Sequence, residues 1–208
     1  MKNKIFLWVF ILLVVLPISA QVLQNIDEIA PFGEGLAAVR KGQQWGFVNE
    51  KGDMVIDFRD DIYWNPKADV TKTDVLGVKY PMFNEGLCLI KNTVEDGVPV
   101  FGFIDKTGAV VIEPQFLNIF PFKNGYTTAV FFEKNFKGEN EFKLKIYEYK
   151  FFDVRLNTAG EITDYFEKRD HIQMTIKRYE MPEIRAKIIN ENLVATQIEG
   201  KGWSINKL

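Results

Sequence analysis

The sequence predicts an all-β protein, built of antiparallel β-meander repeats stacked in a curved or partly propeller-like array. Three observations carry this. One pattern of short apolar runs bounded by glycine recurs along the chain. Within each run the side chains alternate between two faces, the period of a half-buried strand. Between runs stand Asn or Asp followed by Gly, where a hairpin needs positive φ.

Taken in order, the chain opens outside the repeat. Lys2 and Lys4 precede an unbroken apolar run from Ile5 to Leu16, and Pro17 then leads to the small pair Ser19-Ala20. That order predicts a secretory signal peptide over 1–20, cut after Ala20. About a dozen apolar residues are short for a membrane span of roughly 20, so no stable span is expected after cleavage. The expected location is exported: periplasmic, cell-surface or secreted. The remainder, 21–208, has the length of a single domain.

Charge narrows the partners. The chain has 26 Lys and Arg against 28 Asp and Glu, a net charge of −2, and losing Lys2 and Lys4 takes it to −4. A nucleic-acid binder needs a concentrated basic face, so none is expected. The lone cysteine, Cys88, lies in the apolar run Gly86-Leu87-Cys88-Leu89-Ile90 and reads as a small buried residue. Stability must then come from a core and not from disulfides.

The repeat units fall at about 29–60, 81–117, 119–163 and 188–208. Phe32-Gly33-Glu34-Gly35-Leu36 returns as Phe83-Asn84-Glu85-Gly86-Leu87, and Trp45-Gly46-Phe47-Val48 returns as Phe101-Gly102-Phe103-Ile104. The turn around Gly52 matches the turn around Gly108. A third copy opens at Pro121-Phe122 and closes near Ile162, without the Trp-Gly pair. A fourth carries Gly202-Trp203-Ser204-Ile205 in the tryptophan segment. Each full copy reads as three strands. The Gly after the aromatic marks close backbone approach or a bulge, and Pro114 should end its strand or lie at an edge. Gly35, Gly46, Gly52, Gly86, Gly102 and Gly108, with Trp45, Phe101 and Trp203, are expected to be structural positions of the repeat, the aromatics as packing. Glu34 and Glu85 recur before glycine, and a role in the repeat's own turn through backbone hydrogen bonds is expected.

These residues resemble the WG, or KWG, repeat family of bacteria: aromatic-x-Glu-Gly-Leu, then Trp-Gly-Phe-Val-Asn/Asp-x-x-Gly, then Val-Ile-x-Pro. The resemblance is best over 29–122, with Phe101 in the tryptophan position of the second copy. It implies an all-β repeat scaffold, often exported, and it brings no catalytic residues.

Between copies, 57–80 is an insertion relative to the second unit. The third unit carries an extended charged hairpin over 133–150. The alternation of Ile172 to Tyr179 predicts a strand, and Pro182 could open a short helix or coil over 183–190.

Few residues offer chemistry. His171 is the single histidine, so no array of several His and Cys can bind a transition metal. Asp57, Asp60, Asp61, Asp69 and Asp74 cluster in the insertion without the spacing of a calcium loop. No cofactor, metal or catalytic set is expected. Tyr63 and Trp64 lie outside the repeat pattern beside an Asn-Pro turn. They either contact a ligand through their aromatic faces or cover an end of the sheet, and they are the candidate ligand-binding residues. The expected function is a non-enzymatic scaffold for a protein or glycan partner, whose open edges invite homo-oligomers. The alternative is a glycan-directed hydrolase whose carboxylate pair the sequence does not locate; Asp60, Asp61 or Asp74 facing another acid across a groove with Trp64 on its wall would favour it.

Overall fold

Hairpins of the repeat fold locally because their turns satisfy themselves. In unit 1, the Asn49 side-chain oxygen accepts from the N–H of Lys51 and of Asp53, both at 2.9 Å, and Gly52 follows at φ 86°. Asp105 does the same for Thr107 and Ala109, at 2.8 and 3.1 Å. Asn157 does so for Ala159 and Glu161, both at 3.0 Å. Three units thus use one Asx-anchored turn with glycine in the left-handed region.

The computed structural model describes residues 23–94, 97–198 and 200–208. The signal peptide expected over 1–20 lies outside them. The fold is all-β, in three open antiparallel sheets with none closed as a barrel. The first sheet holds β1 (Glu28–Ile29), β2 (Leu36–Lys41), β3 (Gln44–Asn49) and β4 (Met54–Arg59). The second orders β10 (Ile162–Arg169), β9 (Lys145–Asn157), β8 (Tyr126–Glu139), β7 (Val110–Ile119), β6 (Pro99–Asp105) and β5 (Leu87–Thr93). The third is β11 (Ala186–Asn190), β12 (Leu193–Ile198) and β13 (Gly202–Lys207).

The stacking is therefore less uniform than one sheet per repeat. Units 2 and 3 fuse into the six-stranded sheet because β7 runs on past Pro114 and pairs with β8. Pro114 neither ends its strand nor lies at an edge. The register between β6 and β7 shifts between Phe101↔Phe116 and Phe103↔Ile112, so Pro114 falls in a bulge where its missing N–H leaves no ladder bond unmade. Gly102 stands opposite. A Cβ there would lie 2.3 Å from the Ile112 carbonyl oxygen, and one on Gly46 would lie 2.8 Å from that of Ile56. The glycine of the Trp-Gly pair thus lets the third strand cross close behind the second.

Successive units are joined by a carboxylate. Glu34 and Gly35, Glu85 and Gly86, and Asn124 and Gly125 each form a two-residue turn with both φ positive. Such a turn matches the twist of its hairpin and leaves two adjacent N–H groups pointing outward. The Glu34 carboxylate accepts from the N–H of Glu85 and Gly86 at 2.6 and 2.9 Å. The Glu85 carboxylate accepts from Asn124 and Gly125 at 2.5 and 2.8 Å. Aromatic contacts repeat in step: Phe83 meets Phe47 of unit 1 at 4.7 Å between ring centroids, and Phe122 meets Phe103 of unit 2 at 5.1 Å. Ile56 packs under Gly108, and Ile112 under Gly160.

The third and fourth units depart from this plan. On β9, Asp153 pairs with Val130 as Phe101 pairs with Lys91 and Trp45 with Arg40, so a carboxylate stands in the position of the repeat aromatic. Asp153 is buried and paired with Arg169 at 3.2 Å, and it also accepts from the Arg185 N–H at 2.8 Å. In unit 4, Trp203 pairs with Gln197 as Trp45 pairs with Arg40. It is nevertheless 47% exposed, against 0% for Trp45. Packing was expected of it, but β13 is an edge strand with nothing beyond it among the described residues. The strand expected over 172–179 is also absent, and the helix or coil expected over 183–190 is coil to Arg185 and then strand β11. Instead 170–185 crosses the face of the second sheet without regular structure, with Met174 and Ile184 buried against Val100, Leu117 and Phe151. Its apolar side chains find that face, so it has no edge to join.

Two outcomes follow from these contacts. Gly102→Ala should lower stability by about 1–3 kcal/mol or more, because backbone and not a flexible side chain must move; chemical denaturation measures it. Glu34 should show pH-dependent stabilisation. Burial pushes its carboxyl up, but the hydrogen bonds from Lys106, Gly86 and Glu85 outweigh that and hold it below its ordinary value of 4.5. A carboxyl lowered in the folded state adds stability that is complete above 4.5 and is lost as pH falls through the lowered value. Glu34→Gln should therefore destabilise at pH 7 and lose its effect as pH falls through the lowered value, read from denaturation midpoints over an acid series.

Candidate binding site

The segment between β4 and β5 fills the junction of the first two units. Arg59 pairs with Asp61 through two hydrogen bonds at 2.5 and 2.6 Å and donates to the Gly108 carbonyl at 2.7 Å. The chain then runs beside β5: the Lys91 N–H donates to the Asp61 carbonyl and the Tyr63 N–H to that of Leu89, at 2.8 and 3.0 Å. Ile62, between them, is buried. This pairing covers an edge of the second sheet that would otherwise be open.

Tyr63 and Trp64 point to opposite units as a consequence of strand alternation. Trp64 packs edge-on against Trp45 at 5.7 Å, with the Arg40 guanidinium 5.3 Å from its ring centroid. Tyr63 packs edge-on against Phe101 at 4.9 Å. Both are half-buried, and each meets the aromatic of a different repeat. The Trp45 indole N–H, buried among these rings, has no hydrogen-bond partner among the described residues.

After Pro66 the segment closes on itself. The Asn65 N–H and side-chain amide donate to the carbonyls of Val78 and Leu76 at 2.7 and 3.0 Å. Asp74 caps the short 3-10 turn Val75–Gly77 by accepting from the Leu76 N–H at 3.1 Å. Its other oxygen accepts from the buried Asn118 at 2.9 Å, and Asn118 also donates to the Pro182 carbonyl at 2.9 Å. Val75 is thereby driven fully into the core beside Phe101 and Phe116.

What remains open is a cavity of about 520 Å³ between this segment and the turn rim of units 2 and 3. Its walls include Tyr63, Val78, Phe83, Leu89, Phe103 and Phe122. The Tyr63 hydroxyl is without a hydrogen-bond partner among the described residues. Burial, with a smaller contribution from the charge of Asp74, pushes it up to about 12, so it stays a neutral donor at physiological pH.

The acidic residues of the segment are spread among these local tasks. Asp61 holds Arg59, Asp69 accepts from the Thr71 hydroxyl at 2.6 Å, Asp74 caps the turn, and Asp57 and Asp60 are exposed. No group of three His, Cys, Asp or Glu side chains among the described residues is arranged to hold a metal. Cys88 is buried, and burial pushes its thiol up to about 12. His171 is exposed, edge-on to Phe151 at 6.1 Å. Sequence reasoning missed the cavity itself, because its wall residues come from the inserted segment and from units 2 and 3. The apolar run Tyr80-Pro81-Met82-Phe83 was the only signal.

The family model for the WG containing repeat matches residues 22–45, 45–59 and 101–132. These segments contain the Trp45-Gly46 pair, the Phe101-Gly102 pair and the turns at Glu34-Gly35, Gly52, Gly108 and Asn124-Gly125, but not those at Glu85-Gly86 and Gly160. The chain carries WG repeats. The part between 60 and 100, which supplies the Tyr63-Trp64 segment and much of the cavity wall, lies outside the matched WG segments. No curated protein and no solved structure matches the chain. Among the described residues, no helix is long and apolar enough to cross a membrane.

The WG-repeat aromatics and the inserted pair make a stability prediction. Trp64→Ala should cost about 2–3 kcal/mol, less than the roughly 3–5 of a fully buried Trp. Tyr63→Phe should be within about 0.5 kcal/mol of wild type, since its hydroxyl gives up no protein partner. Thermal or urea unfolding of the two variants checks both.

Proposed function

We propose that this WG-repeat chain is an exported, non-enzymatic scaffold that binds a protein partner through the cavity between the 60–83 segment and units 2 and 3. The observation that carries the reading is the cavity itself: a mostly apolar, concave wall to which Tyr63 contributes, its hydroxyl unpartnered among the described residues. That combination suits an apolar side chain flanked by a backbone acceptor for Tyr63. A glycan would need an open aromatic face to stack on. Trp64 has Arg40 against its ring and Trp45 at its edge, and the Tyr63 ring is engaged by Phe101, which favours protein over glycan. The structural use of Asp61 and Asp74 supports binding over hydrolysis. The leader sequence supports export.

Selection of a displayed peptide library on the immobilised protein tests this, with a glycan array in parallel. The expected result is peptides with an apolar anchor that bind wild type and lose at least tenfold in affinity on Leu89→Trp, at unchanged melting temperature. Peptides indifferent to that substitution, or glycans as the only ligands, would overturn it.

A further inference from the structure

The two internal junctions have one design, with a giving and a receiving half. The giving unit supplies the turn glutamate and the Phe two residues after its repeat aromatic. The receiving unit supplies two turn N–H groups and the Phe that precedes its turn. Unit 1 gives through Glu34 and Phe47 to unit 2, and unit 2 gives through Glu85 and Phe103 to unit 3.

Both halves also occur unfilled. Unit 1 has a complete receiving half with nothing in it among the described residues. Its turn N–H groups, on Glu34 and Gly35, have no acceptor there, and the turn has the same positive φ pair as the filled ones. Phe32 occupies the position of Phe83 and Phe122 but is 54% exposed, where they are 3% and 2%. Ile29 beside it is exposed as well. At the other end, unit 4 carries an unfilled giving half. Glu191 stands in the Glu34 position, exposed and with no side-chain ion pair or hydrogen bond among the described residues. Register places Ile205 where Phe47 stands, since Ala195 pairs with Ile205 as Ala38 pairs with Phe47. Ile205 and the neighbouring Trp203 are exposed.

We infer that the chain associates head to tail with a second copy of itself, the Glu191–Ile205 face of one copy engaging the Glu34–Gly35 turn and Phe32 of the next. The occupant is a second copy because the missing partner of each end is present, in matching chemistry, on the other end. The contact continues a junction that the fold already makes twice. It is heterologous: the two surfaces differ, so assembly yields chains or rings and not a two-fold dimer. Two differences set its strength. Ile205 is smaller than Phe, and the Glu191 turn lacks the positive φ pair of the others. One junction is small beside a permanent interface, so association belongs in the micromolar range or weaker.

Sedimentation velocity over a range of concentrations tests it. Wild type should show a sedimentation coefficient that rises with protein concentration. Phe32→Asp, which blocks the receiving end, and Ile205→Asp, which blocks the giving end, should each stay monomeric. Both positions are exposed, and circular dichroism verifies that each variant is folded. Mixed, the two variants should form a heterodimer and nothing larger, because one keeps an intact giving end and the other an intact receiving end. Glu191→Gln should weaken wild-type association several-fold. A wild type that stays monomeric at millimolar concentration, variants that associate like wild type, or a mixture that does not pair would each overturn the inference. Loss of peptide binding at the cavity would leave these outcomes untouched.

Discussion

A carboxylate held by two backbone N–H groups sets the spacing of this molecule. The N–H pair comes from a turn in which two consecutive residues have positive φ, a small concave site that attracts an anion. A non-glycine residue in that region is uncommon, yet Glu34, Glu85 and Asn124 all adopt it. Each glutamate thus has two roles. Its backbone forms a receiving site, which unit 1 fills at Glu85 and nothing among the described residues fills at Glu34, and its side chain fills the site of the following unit. This fixes the offset between units, and the offset brings Phe83 onto Phe47 and Phe122 onto Phe103.

Where the glutamate is missing, the regular succession stops. Asn124 has no carboxylate to pass on, and unit 4 forms its own three-stranded sheet. The same unit 3 replaces its core aromatic with Asp153, for which burial is the dominant effect: it pushes the carboxyl up and the paired Arg169 guanidinium down. A buried ion pair adds little net stability over apolar packing. Its use here is positional, since Asp153 also accepts from Arg185 and Arg169 donates to the Glu183 carbonyl, which ties the irregular 170–185 strap to the sheet. One face of the sheet is closed by the strap, and the other by Val75 and the inserted segment.

Much of the fold was legible in the sequence because it is local. Alternation, the Asx-glycine turns and the bulge glycines depend on residues within a few positions of one another, and repetition showed the same solution more than once. Less of the site was legible. Tyr63 and Trp64 stood out as aromatics outside the pattern, but which rings they meet depends on the junction between units. The cavity is lined by the inserted segment and two units at once, so no single stretch announces it. Ile172 to Tyr179 alternates like a strand and is none, because alternation reports two-sided burial and does not say whether an edge is available. Pro114 misled for a related reason: a proline is excluded from a ladder only where its N–H is needed, and the bulge opposite Gly102 removes that need.

The sequence by itself determined the all-β class, the repeat, the hairpin turns and the glycines at which strands approach closely, since each follows from backbone geometry over a short span. Tertiary structure decided how the units join. The fusion of units 2 and 3 into one sheet, the passage of a carboxylate from turn to turn, the division of Tyr63 and Trp64 between two repeats and the exposure of Trp203 all depend on which surface meets which. Trp45 and Trp203 occupy the same position in the same pattern. One is buried and the other exposed, because burial is a property of the neighbours that packing supplies.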